Sequence, residues 1–151
     1  LLKDIITIDD IEIGLQTTDW EDAVRKSSRR LLETGAIEEK YVDAIIQVVK
    51  ETGPYFVLGN HIALAHTRPE NGANKLGLSF TTLNPPINFG SENFDPIKLI
   101  ITLSATDGDS HLSLMSDLAS ILMEEDTMEK LFNAKTKEDF YKDLMAEVDA
   151  L

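Results

Sequence analysis

His66 stands at the end of an apolar run, Ile62-Ala63-Leu64-Ala65, and is followed at once by Thr67 and Arg68; a second histidine, His61, precedes the run. Four apolar residues in a row read as a buried strand or tight segment, and Pro69 with Asn71-Gly72 ends it, so His66 emerges where ordered structure meets solvent. A histidine there can react rather than only pack. Its unperturbed pKa lies nearest neutrality of any side chain, so one ring nitrogen keeps a free lone pair while a hydrogen bond holds the other. Such a nitrogen suits attack on phosphorus, with the Arg68 fork facing the incoming charge and the Thr67 hydroxyl supplying a further donor.

The sequence has three histidines in all. His111 follows Ser110, a residue suited to cap a helix, and precedes Met115 by one turn, so it is expected on the helix face that turns inward. The positive dipole end of a helix disfavours imidazolium and favours an anion, so a neutral His111 could donate a hydrogen bond to phosphate, although first-turn histidines commonly serve as caps or packed polar residues. For His61 the ordinary reading, a loop histidine near the site, is favoured. Residues five apart on an extended segment point to opposite sides, so His61 is expected at most to support the site without touching the reacting atom. Three imidazoles and an open position would suit zinc, but a spacing of five fits no helical ligand pair and no fourth ligand declares itself, so no metal is expected. Neither a phosphate-cradling glycine loop nor a Gly-x-Ser-x-Gly elbow occurs, which leaves nucleotide chemistry and cofactors unsupported.

These side chains must be positioned by a chain of 151 residues, which reads as a single domain over 1–151, since domains of roughly 100–150 residues are the common size. Hydrophobic content of 42% and charged content of 27% are ordinary for a soluble protein. No apolar stretch approaches the roughly 20 residues of a membrane span, so direct membrane insertion is not expected. The opening Leu1-Leu2-Lys3-Asp4 lacks the features of a secretory signal, and a cytoplasmic location is expected. Zero cysteines exclude disulfides and thiolate chemistry. A net charge of −13, from 14 basic and 27 acidic side chains, works against nucleic acid as a ligand and favours partners that present a basic docking patch.

The pattern of elements is mixed. Alternating Ile11, Ile13 and Leu15 predict an opening strand within Ile5 to Gln16, and helices are predicted over Trp20 to Glu33 and Glu38 to Glu51, the latter ended by Thr52-Gly53-Pro54. Tyr55 to Leu58, Leu76 to Leu83 and Ile97 to Ala105 read as strands, with Asn84-Pro85-Pro86 as a turn and Ile87-Asn88-Phe89 as a brief edge strand. The third of these segments has almost no polar face, the composition of a central strand covered on both sides. A helix from Ser110, a shorter one around Thr127 to Phe132 and a last one from Thr136 complete the chain. The whole predicts an α/β fold with helices on both faces of a sheet.

Gly53-Pro54-Tyr55-Phe56-Val57-Leu58, then His61 through Glu70 with His66-Thr67-Arg68-Pro69-Glu70 at its end, resembles an enzyme IIA component of the sugar phosphotransferase system. The likeness is to the mannitol/fructose class and, within it, to the ascorbate-type branch; Asp95 to Ala105 and Asp109-Ser110-His111 extend it to a later strand and helix start. The resemblance implies a three-layer sandwich with a mixed central β-sheet of about five strands. It also implies a phosphocarrier in which His66 accepts a phosphoryl group from HPr and passes it to the IIB component, for uptake of an ascorbate-like or related carbohydrate through the membrane component IIC. By the same resemblance His111 is the second active-site histidine. The family's familiar pattern has proline where Ala65 stands, and mannitol-type domains carry an arginine where this chain reads Val48-Val49-Lys50-Glu51, which makes Arg68 the candidate guanidinium. The rival reading is a regulatory IIA-like domain of a transcriptional regulator, which would share the same site.

Overall fold

The computed structural model describes residues 2–151; Leu1, with which the sequence opens, lies outside them. Its sheet is built from β1 (Ile11–Leu15), β2 (Val57–Gly59), β3 (Ile62–Ala65), β4 (Gly77–Ile87) and β5 (Ile97–Ser104), in the order β1-β4-β5-β3-β2. The sheet is mixed: β3 runs parallel to β5, β4 antiparallel to β5, β1 parallel to β4, and β2 antiparallel to β3.

Helices cover both faces, giving the three layers expected. On one side lie α1 (Leu2–Ile5), α5 (Gly108–Leu122), α6 (Glu125–Asn133) and α7 (Lys137–Asp149); on the other lie α2 (Trp20–Ser27), α3 (Arg29–Glu33) and α4 (Glu39–Thr52). Leu99, Ile101 and Leu103 of β5 pack in the first core and Ile97 and Ile100 in the second, so this central strand is covered on both sides, with Thr102 and Ser104 buried as well. Alternation in β3 is equally clear: Ile62 and Leu64 enter the α5–α7 core, while Ala63 and Ala65 face α4.

Several predicted boundaries are corrected. The opening segment is strand only from Ile11; Ile8–Asp10 forms a short 3-10 turn in which the Asp10 carboxylate accepts the Thr7 N–H at 2.8 Å. The helix expected over Trp20 to Glu33 is divided at Ser28, where the hydroxyls of Ser27 and Ser28 both donate to the Val24 carbonyl, competing with the helical ladder. Asn84-Pro85-Pro86 is no turn: β4 continues through it to Ile87, which pairs with Ile97 after a register shift. Prolines are tolerated there because residues 84–86 are exposed at the strand's far end. Ile87 therefore closes β4 and is not a separate edge strand with Asn88 and Phe89. Ser110 does not cap α5. Asp107 does, its carboxylate accepting the Ser110 N–H at 2.8 Å.

Candidate active site

Parallel neighbours β3 and β5 end at the same edge of the sheet, with Ala65 in register with Thr102. The residue after β3 is His66; the chain leaving β5 turns at Thr106 and Asp107 into α5. Two loops at the carboxyl ends of adjacent parallel strands thus bring His66 and His111 together, their ring centroids 5.4 Å apart. Both rings are half-buried in the wall of an open cavity of about 870 Å³, which Thr67 and Arg68 also line. His111 therefore turns toward this cavity and not into the core, which begins one position short of a full turn later at Leu114.

The state of His66 is defined by its neighbours. Its Nδ1 lies 2.7 Å from the Leu64 carbonyl oxygen, and a carbonyl can only accept, so Nδ1 carries the proton and Nε2 is left with its lone pair. Burial holds the pKa of His66 below the ordinary histidine value; the Leu64 hydrogen bond opposes this and the nearby His111 adds to it. The ring is consequently neutral at pH 7. Nuclear magnetic resonance titration should place its midpoint below about 6.5, and a midpoint above that value would contradict the assignment. The sign of the linkage follows. The unfolded chain takes up this proton first, so stability falls as pH drops from the ordinary histidine pKa toward the lowered one.

Several donors line the same cavity as His66. Arg68 is exposed at the start of a short 3-10 turn, Pro69–Asn71, and among the described residues no carboxylate pairs with its guanidinium. The Thr67 hydroxyl accepts from the Asn71 side chain at 3.1 Å, which leaves its own proton to donate. Gly108 lines the cavity too, so the positive end of the 15-residue helix α5 stands at its wall. Two carboxylates are also present, Glu70 and Asp107. The latter is committed to capping, and its pKa is lowered chiefly by the Ser110 N–H. At the end of α4 the cavity wall is the aliphatic Val48, while Lys50 pairs with Glu21 at 3.1 Å. Arg68 is thus the guanidinium of this cavity.

His61 is not brought to the site. It sits at the opposite end of β3, its Nδ1 2.8 Å from the Pro96 carbonyl and its ring 6.3 Å from that of Phe132. Its φ of +70° breaks the strand alternation, so its ring turns toward α6 on the same side of the sheet as His66 instead of the opposite one. The three imidazoles do not converge as zinc ligands would.

Two tyrosines also reach the site, Tyr41 from the apolar stripe that it shares with Val42, Ile45 and Val49 on α4, and Tyr55 from the segment that leads into β2. The Tyr41 hydroxyl donates to the Leu103 carbonyl at 2.7 Å and accepts the Thr67 N–H at 3.2 Å; the Tyr55 hydroxyl donates to the His66 carbonyl. The only sequence signal for Tyr41 was a phenol on an otherwise apolar stripe, whose hydroxyl must find a partner once buried.

The chain is similar to known proteins over most of its length. A family model described as "Phosphoenolpyruvate-dependent sugar phosphotransferase system, EIIA 2" matches residues 4–146. The chain is 38% identical over 136 residues to a "Mannitol-specific cryptic phosphotransferase enzyme IIA component" of Escherichia coli (strain K12), covering 90% of this chain and 92% of that protein. It is 31% identical over 130 residues to an "Ascorbate-specific PTS system EIIA component" of Shigella boydii, covering 85% and 84% respectively. Among solved structures it is similar to IIA in the complex of enzyme IIAMTL and phosphorylated enzyme IIBMTL from Escherichia coli, with a TM-score of 0.81, 25% identity, and coverage of 93% of this chain and 97% of that one.

Proposed function

The chain belongs to the EIIA 2 family of the phosphoenolpyruvate-dependent sugar phosphotransferase system, and from that membership we propose that His66 is the residue that carries its phosphoryl group, taken from phospho-HPr and given to a IIB component. The family's members are phosphotransferases that work through a phosphohistidine, so the question for this chain is which atoms do the work. One observation carries the reading: the Leu64 carbonyl holds the proton on Nδ1, which leaves Nε2 as a neutral nucleophile beside His111 in an open cavity.

Transfer then needs no proton movement. The Nε2 lone pair forms the new bond to phosphorus as the bond to the HPr donor atom breaks, and that atom leaves with its electron pair. Catalysis consists of positioning and of stabilising the equatorial oxygens. Arg68 holds two of them through its fork, His111 donates one hydrogen bond, and the Thr67 hydroxyl with the N-terminus of α5 completes the shell. Arg68→Lys is expected to slow transfer about tenfold, because an ammonium lacks the fork. An unchanged rate would return Arg68 to the solvated surface.

Because the site exchanges phosphate with proteins, it need not contact the carbohydrate; an ascorbate-like or related cargo would be selected by the partners. The test is incubation with phosphoenolpyruvate, enzyme I and HPr, followed by addition of IIB. Acid-labile phosphate on the chain that IIB then removes supports the carrier. Phosphate that stays on the chain favours the regulatory reading, and no labelling refutes both.

A further inference from the structure

The carbonyl of His66 and the N–H of Thr67 are the two polar ends of a single peptide group, and each is held by a different tyrosine hydroxyl. Tyr55 donates to the carbonyl, and Tyr41 accepts the N–H at 3.2 Å while spending its own proton on Leu103 at 2.7 Å. We propose that Tyr55 and Tyr41 form a clamp on the 66–67 peptide plane, acting as positioning residues that set His66 relative to Thr67 and Arg68. The inference rests on the assignment of His66 as phosphoryl acceptor.

The geometry explains why such a clamp matters. Rotation of one peptide plane changes ψ of His66 and φ of Thr67 together, so it moves the imidazole against the hydroxyl and guanidinium that would receive the phosphate. The Nδ1–H bond of His66 to Leu64 spans only two residues, so it too depends on local backbone torsions. The other ties of the segment act downstream of this peptide, from the Asn71 side chain to the Thr67 hydroxyl at 3.1 Å and from the Asn71 N–H to the Arg68 carbonyl at 3.0 Å; His66 and Thr67 are half-buried, Arg68 is exposed, and all three lie beyond the last paired residue of β3.

Both tyrosines are themselves fixed. Tyr41 is fully buried in α4 and its hydroxyl bridges to the end of β5. Tyr55 stacks on the buried Phe56 with centroids 5.2 Å apart and sets its ring edge-on to His66 at 5.7 Å. Burial pushes the Tyr55 phenol up to about 12, so it remains a donor throughout the working range of pH.

Tyr55→Phe tests the proposal because it keeps the ring on a partly exposed residue and removes only the hydroxyl. The kcat for phosphate acceptance from phospho-HPr should fall about five- to tenfold, the rate equivalent of one hydrogen bond, with KM unchanged. Ring nitrogen shifts of unphosphorylated His66 should move from the single Nδ1–H tautomer toward a mixture. Tyr41→Phe should act in the same direction but is liable to unfold the chain, since it leaves Leu103 and Thr67 unpaired. For Tyr55→Phe, an unchanged tautomer overturns the clamp, as does a change confined to KM, which would make Tyr55 a docking residue. The tautomer measurement needs no phosphodonor, so it decides the clamp even if the wild-type chain takes no phosphate, a result that would count against the acceptor assignment instead.

Discussion

Replacing His66 by alanine is expected to abolish phosphate acceptance from phospho-HPr while leaving the fold intact. No other group can take over. Thr67 and Tyr55 offer only neutral hydroxyls of high pKa, without a base positioned to activate them, and the Arg68 guanidinium is permanently charged. The nearest rival nucleophile is His111, 5.4 Å away by ring centroid, but the geometry that exposes a defined lone pair belongs to His66, through its bond to Leu64. The structural penalty should be small. His66 is half-buried at the rim of a cavity and its side chain makes one hydrogen bond, worth about 1 kcal/mol net. Labelling assays with radioactive phosphoenolpyruvate, alongside circular dichroism, check both halves of this expectation; normal labelling of His66→Ala would refute the acceptor assignment.

His111→Ala is expected to slow acceptance by roughly a hundredfold or more, in kcat and not in KM, the loss typical when one preorganised donor to a developing anion is removed. The helix itself should survive, because alanine is the best helix former and the Asp107 cap is untouched. His111→Gln restores a donor and should recover part of the rate. Steady-state kinetics with phospho-HPr as the varied substrate separates the cases, and a rise in KM alone would make His111 a docking residue.

How far the sequence disclosed this site depends on the range of the interactions involved. The strand before His66, its end at Pro69 and the helix of His111 follow from local rules of pattern and punctuation, and all are present. The meeting of His66 with His111 depends instead on β3 and β5 being parallel neighbours, a pairing that no local pattern specifies; the family resemblance implied that the two histidines share a site, not which strands bring them together. The errors are local signals overruled by context. Asn84-Pro85-Pro86 has turn chemistry yet lies in the exposed end of a strand, Ser27 and Ser28 divide a helix by bonding to one carbonyl, and His61 leaves strand alternation through its positive φ. Tyr41 and Tyr55 were invisible as site residues because their hydroxyls act over sequence separations of 26 and 11 residues, on backbone groups of the segment that carries His66. Patterning records the burial of a ring; it says nothing of which peptide its hydroxyl will hold.

The most direct measurement is a nitrogen-resolved magnetic resonance spectrum of the phosphorylated protein. It should show phosphorus bonded to Nε2 of His66, with Nδ1 still protonated toward Leu64. Phosphate on Nδ1 of His66, or on the imidazole of His111, would contradict the account.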